Sequence, residues 1–172
     1  MPDDATSELD ADRILENARQ LGPMIEASAS AIDRDRRLPD DLVEAMRRAG
    51  IFRIAFPRSW GGPEMPILDQ ARLVETLAYH DASTAWVAMI CSDSGHYAAR
   101  VEESVARELY PQMDLLTSGL LYPVGQARRV DGGFRVTGRW QFGSGCLHAD
   151  RIVGGCLVFD GDAPVIDADG LP

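Results

Sequence analysis

Lysine is missing from this sequence: all 17 basic side chains among its 172 residues are arginine, set against 27 acidic ones. That absence excludes Schiff-base chemistry and a phosphate-binding loop of the Walker type, which needs a lysine. The net charge of −10 argues against a nucleic-acid partner, because phosphate contacts call for clustered basic residues. A small anionic ligand stays compatible, since a pocket's local field can differ from the net charge. Cysteine is scarce, with only Cys91, Cys146 and Cys156. An odd number, no C-x-x-C pair and no histidine at ligand spacing fit neither a disulfide framework nor a zinc site. The thiols are therefore expected to be reduced, buried and structural, and no bound metal is expected. No apolar run approaches the roughly 18 residues of a membrane span. The start, Met1-Pro2-Asp3-Asp4-Ala5-Thr6, lacks the basic and apolar regions of a secretory signal. A membrane partner is not expected, and the cytoplasm is the expected location.

What the first two-thirds does contain is helical periodicity. Ile14, Ala18, Leu21, Ile25, Ala29 and Ile32 recur at steps of three and four, the mark of an amphipathic helix. Gly22-Pro23 predicts a kink or break within it. Pro39-Asp40-Asp41 opens a second helix, with proline in the first turn and acids at the positive end of the dipole. Leu42, Met46 and Ala49 form its buried stripe, and Gly50 is its stop. The connector over 51–66 carries Phe52, Phe56 and Trp60, too apolar to stand in water, and is expected to pack on the helices. A third helix is predicted over 67–79, with Leu68, Ala71, Val74 and Leu77 or Ala78 inward. A fourth follows over 84–100, capped by Asp81 or Ser83, and a short fifth over 102–110. The fourth begins Ala85-Trp86-Val87-Ala88-Met89-Ile90-Cys91, apolar on every side, which predicts a central helix covered all round.

After Pro111 the pattern turns to strands. One is predicted over 115–122. Two more, over 126–130 and 134–140, flank Asp131-Gly132-Gly133, a hairpin signal. A last strand is predicted over 151–159, before a tail rich in Asp, Gly and Pro. Four short strands scarcely close a barrel or cover both faces of a sheet. Either a partner chain completes the sheet or the sequence is the front piece of a longer protein, and the second reading is favoured. The expected fold class is α+β: an N-terminal all-α bundle over 1–113, followed by an incomplete antiparallel β domain over 114–172.

The stretch Val136-Thr137-Gly138-Arg139-Trp140-Gln141-Phe142-Gly143-Ser144-Gly145 is the most telling. On an extended strand alternate side chains share a face, so Trp140, Phe142 and Ser144 would line one wall. Flat aromatic surface beside one hydroxyl, with Gly145 allowing close backbone approach, suits a planar heteroaromatic ligand. A flavin ring is the leading candidate.

The order of these pieces carries a resemblance. Arg36-Arg37-Leu38-Pro39-Asp40-Asp41-Leu42, Ala49-Gly50-Ile51-Phe52-Arg53, Pro57-x-x-Trp60-Gly61-Gly62, Leu77-Ala78-x-x-Asp81-x-Ser83 and Ala85-Trp86 together resemble the N-terminal helical domain of the acyl-CoA dehydrogenase superfamily. Pro123-Val124-Gly125-x-Ala127, Val130-Asp131-Gly132-Gly133-Phe134 and Gly138-Arg139-Trp140-x-Phe142-x-Ser144-Gly145-x-x-His148-Ala149 are similar to the start of its middle β domain. The form Arg-Trp-x-Phe-x-Ser-Gly resembles its flavin-dependent hydroxylase branch. The resemblance implies that Phe142 lies beside the isoalloxazine and that the Ser144 hydroxyl meets the ring near N5, with Gly145 beside it. It implies that Leu121 stands where a polar residue usually binds the pyrimidine edge; a leucine offers only backbone groups there. The cofactor would be FAD or FMN. In the family a C-terminal four-helix bundle supplies the dehydrogenase's catalytic glutamate and the oligomer contacts; the corresponding residues would lie beyond Pro172. The catalytic residues are thus unknown from this sequence, and a homo-oligomer is expected of the full-length form.

Two chemistries share the implied scaffold. In one, a carboxylate removes the α-proton of an acyl thioester while hydride passes to the flavin. In the other, reduced flavin from a separate reductase activates oxygen for attack on an aromatic or steroid-like ring. Both need a dry pocket. The competing class is a non-catalytic fragment or interaction module that binds no flavin. On the substrate side, Trp86 reads either as core or as a pocket wall. His96 lies near a position that binds substrate in some hydroxylases, although gapless comparison puts that position nearer Ser94. His80 and His148 are expected to be surface or capping groups, and 33–37 a solvated helix end.

Overall fold

A computed structural model describes residues 9–166, so the acidic start Met1–Thr6 and the closing Gly170-Leu171-Pro172 lie outside the described residues. Helix α1 (Ala11–Gln20) is capped by Asp10, whose carboxylate accepts from Arg13 N at 2.8 Å, and α2 (Gly22–Asp35) begins at the predicted break. Ile14, Ala18, Ile25 and Ile32 are buried as their spacing requires. Helix α3 (Asp40–Arg48) has Asp40 and Asp41 in its first turn and Arg47 and Arg48 in its last, and buries Leu42, Val43 and Met46. Gly50, at φ 84°, ends it in the left-handed conformation. The connector folds inward: Ile51, Phe52 and Phe56 are fully buried.

Helix α4 (Ile67–Ala78) turns a different face to the core from the one predicted. Leu73 and Leu77 are buried, with Val74 packed beside them, while Leu68 and Ala71 are exposed. The predicted fourth helix is two: α5 (Ala82–Cys91), capped by the Asp81 carboxylate on Thr84 N at 2.6 Å, and α6 (Ser94–Ala98). The break falls in Ser92-Asp93, side chains that compete for backbone hydrogen bonds; Ser92 Oγ donates to Met89 O at 3.1 Å. Helix α7 (Glu103–Leu109) follows. Two clusters form the core. The larger joins α1 to α5 and includes Leu116; the smaller gathers Phe56, Ala98, Ala106 and Tyr110, with Trp60 packed against it.

The second half is one sheet of β1 (Thr117–Val130), β2 (Gly133–Thr137), β3 (Arg151–Asp160) and β4 (Ala163–Pro164), in the order β2-β1-β3-β4. The two segments predicted before the hairpin are therefore one strand. The hairpin β1–β2 is antiparallel, but β1 and β3 run parallel, so the sheet is mixed rather than antiparallel throughout. Segment 138–150 explains the difference. It returns the chain from Thr137, opposite Gln126, to Arg151, opposite Thr117, so β3 starts at the same end as β1. Parallel neighbours need a crossover of this kind.

The pairing of β1 with β3 shifts register between Leu120 and Gly125, and Trp140 lies against that irregularity. Its indole donates to Gly155 O at 2.8 Å. A Cβ on Gly125, Gly138 or Gly154 would stand 2.4, 2.7 and 2.7 Å from the Trp140 ring, so the three glycines make its seat.

Arginines fasten the halves together. Arg53 Nε donates to Asp114 Oδ1 at 2.7 Å, and Arg47 reaches both the Asp114 carbonyl and, at 3.3 Å, Asp150 Oδ2. Asp150 Oδ2 also accepts from Leu116 N at 2.9 Å. Ser94 Oγ donates to Leu115 O at 2.6 Å. These bonds fix the start of β1 and Asp150, at the end of segment 138–150, against α3, the connector and α6.

Candidate functional site

The expected aromatic wall does not form. Residues 138–143 are not a strand, and Phe142 has φ 58°. A left-handed residue interrupts the alternation on which a shared face depends. Trp140 therefore turns to the sheet, Phe142 turns to solvent at 84% exposure, and Ser144 turns to α5.

Ser144 is held by three of its own atoms. Trp86 Nε1 donates to its Oγ at 2.8 Å. Its carbonyl accepts from Ser118 Oγ at 2.7 Å, with Cys91 Sγ at 4.0 Å. Its amide donates to Phe142 O at 2.8 Å. The turn reaches this position because the next residue is Gly145, at φ 76°. A Cβ there would stand 2.3 Å from Cys91 Sγ, so the backbone lies against α5 only without a side chain.

Trp86 is not the covered core residue that an all-apolar helix suggests. It is 53% exposed, and Met89 is exposed beside it on α5. The stretch is apolar all round, yet only Thr84, Ala85, Ala88 and Cys91 are buried. The structure thus brings Trp86, Ser144 and Gly145 together, with Phe142 adjacent along the chain. Leu121 is exposed within the β1 irregularity, and His96 is exposed on α6. No hydrogen bond among the described residues joins either to the Ser144 group. Ser94, at the position gapless comparison favoured over His96, is buried and spends its hydroxyl on Leu115 O and Thr117 Oγ1.

A cavity of about 220 Å³ opens behind the turn, lined by Arg36, Arg37, Leu38, Val87 and residues 143–148. His148 belongs to its wall rather than to the surface: its side chain is 5% exposed and its Nδ1 lies 3.7 Å from Asp40 Oδ1. Its Nε2 is buried with no hydrogen-bond partner among the described residues. Burial pushes the imidazole pKa below its usual value, the Arg37 guanidinium adds to the shift, and Asp40 opposes it. His80 is also drawn inward, with Nδ1 2.7 Å from Glu26 Oε1. A Cβ on Gly22 would stand 2.5 Å from its ring, so the glycine read as a kink also makes room for the imidazole.

Of the three thiols expected to be buried, only Cys91 is; Cys146 is exposed and Cys156 half-buried. Burial raises the Cys91 pKa to about 12, which leaves it protonated and inert. Sequence reasoning missed Ser118 and Cys91 as supports of Ser144. Gly145 signalled a close approach, but nothing in the sequence named the helix it approaches.

The half-exposed Trp86 indole donates to the Ser144 hydroxyl, and the exposed Phe142 precedes Ser144 by two residues in the chain. An indole N–H can only donate, so the hydroxyl keeps its own proton for another acceptor.

The sequence pattern of the acyl-CoA dehydrogenase N-terminal domain matches residues 10–114. Over 159 residues the chain is 30% identical to the oxygenase component of p-hydroxyphenylacetate 3-hydroxylase from Acinetobacter baumannii, covering 92% of this chain and 38% of that one. Its fold superposes on the HsaA monooxygenase from M. tuberculosis with a TM-score of 0.85 at 31% identity, over 91% of this chain and 43% of that one. It superposes on XiaF from Streptomyces sp., solved in complex with FADH2 and glycerol, with a TM-score of 0.83 at 26% identity, over 91% and 40%. The chain thus spans about two-fifths of the length of these relatives.

Proposed function

This chain belongs to the acyl-CoA dehydrogenase family, and from that premise we propose that it forms the N-terminal part of the oxygenase component of a two-component flavin-dependent monooxygenase. In this reading residues 1–113 are the helical domain and 114–172 the start of the β domain. The substrate is an aromatic ring, and reduced FAD or FMN comes from a separate reductase. The relatives support the hydroxylase branch, since they are a p-hydroxyphenylacetate hydroxylase component and a monooxygenase. XiaF, with its FADH2, supports a flavin.

The observation that carries the proposal is the seat of Ser144. Its backbone is held from β1 and by Phe142, and its Oγ accepts from Trp86, which leaves the hydroxyl proton free for another acceptor. A hydroxyl that accepts from Trp86 keeps one proton and one lone pair, so it can meet a flavin nitrogen that accepts, as in the oxidised ring, or one that donates, as in the reduced ring. Flavin, when bound, supplies the oxygen-activating chemistry. This chain's residues bind and orient the ring: Ser144 holds a proton at Oγ, Phe142 and Trp86 offer apolar surface, and Gly145 sets the turn's depth. Leu121, exposed on β1, would offer the ring only backbone groups.

Mixing the chain anaerobically with FADH2 or FMNH2 and then admitting oxygen tests the reading. Reoxidation slower than that of free reduced flavin, with delayed peroxide release, is expected. Reoxidation at the free-flavin rate with either cofactor contradicts it.

A further inference from the structure

We propose that Trp86 is a positioning residue whose indole N–H fixes the Ser144 hydroxyl so that its proton is offered to the bound oxidised ring. The inference rests on the flavin reading above and adds a residue and a role to it. A serine hydroxyl has one proton and two lone pairs. At 2.8 Å, Trp86 Nε1 takes up one lone pair, a distance typical of a sound N–H···O bond. The Ser144 amide and carbonyl are both committed, to Phe142 O and to Ser118 Oγ, so the backbone cannot swing to follow a ligand. Rotation about Cα–Cβ remains, and the indole stops it. What is left of the hydroxyl, its proton and one lone pair, is free for a ligand. A hydroxyl that accepts a hydrogen bond is polarised into a stronger donor, so the contact orients and strengthens in the same direction.

The other two tryptophans cannot take this role. Trp140 Nε1 is spent on Gly155 O, and Trp60 packs against Phe56 under the Arg107 guanidinium. Nor is the bond a by-product of burial. The Trp86 ring is half exposed, and water could serve its N–H equally well, so the geometry uses the contact for Ser144 rather than for Trp86.

Indole N–H resonances and flavin titrations on the full chain test this. Three indole signals are expected, and the one lost in Trp86→Phe should shift in Ser144→Ala while the other two stay. Ser144→Thr, which keeps the hydroxyl, should leave it near its original place. With oxidised FMN and FAD as probes, Trp86→Phe and Ser144→Ala should each weaken binding roughly three- to tenfold, one net hydrogen bond's worth. The double variant should bind no worse than Ser144→Ala alone, because the two act through one contact. An indole signal indifferent to Ser144→Ala overturns the proposal, as does Trp86→Phe binding flavin like the unmodified chain, or fully additive losses. If the unmodified chain binds neither flavin, the underlying flavin reading fails and this inference falls with it. Unmodified binding that Trp86→Phe does not disturb removes the positioning role alone.

Discussion

The helical half and the sheet bury their apolar residues to very different degrees. From α1 to α7 the apolar stripes meet in two clusters, and Phe52, Phe56, Leu42, Met46 and Leu77 are wholly covered. In the sheet, all of β2 is exposed, and Leu121, Tyr122, Phe134, Val136 and Ile152 stand in the open. Between them lies the turn 143–148, pinned to α5 on one side and β1 on the other. The contrast teaches where this fold is self-sufficient: its helices complete their own core, its sheet does not, and the candidate site sits on the boundary.

The sharpest way to break that contrast is to mutate both halves. Phe52→Ala should cost about 3–5 kcal/mol, as for a large aromatic removed from a packed core. Val136→Ala on β2 should change stability by less than about 0.5 kcal/mol. Denaturant midpoints for the pair check this; comparable losses would show that the two halves are equally packed. Asp114→Ala removes both acceptors from Arg53 and should cost about 2–3 kcal/mol, since hydrogen bonds to charged groups are the stronger kind. Thermal unfolding at two probe wavelengths should also show the transitions of sheet and helices drawing apart. Gly125→Ala puts a Cβ into the Trp140 seat and should cost about 1–2 kcal/mol by overpacking, with a red shift of tryptophan emission as the ring is displaced.

The smallest expected effect is a pH slope. His148 has a folded pKa below its unfolded value because burial and Arg37 disfavour the imidazolium. The unfolded chain therefore binds the proton first, and stability falls as pH drops below the ordinary histidine value of about 6.5. The loss levels off below the folded pKa. Subtracting the stability profile of His148→Gln should isolate this component; identical profiles would contradict it.

Much of the helical half was legible because helix signals are local. Asp81, one of the two cap candidates, caps its helix, Gly22-Pro23 breaks the first helix, and Gly50 ends the third. The miss in α4 was one of rotation: the predicted stripe holds Leu68 and Ala71, which are exposed, and omits Leu73, which is buried. The sheet was harder, since pairing is non-local: nothing within 138–150 announces that β3 will run parallel to β1. The candidate site was legible in its residue types and not in its geometry. Ser144 and Trp86 were both singled out, but the shared wall failed at one residue, Phe142, whose positive φ has no sequence signature. Gly125, Gly138 and Gly154 make room for Trp140 against the sheet, but only the strand pairing brings the three to one indole, so the sequence did not mark the seat.

The central claim is that the Ser144 seat holds a flavin edge, and parallel FMN or FAD titrations with thermal midpoints for the unmodified chain and Ser144→Ala test it most directly. Saturable binding to the unmodified chain is expected, weakened roughly three- to tenfold in the variant, with the two midpoints nearly the same. No saturable binding to the unmodified chain, or equal binding by both proteins, would contradict it.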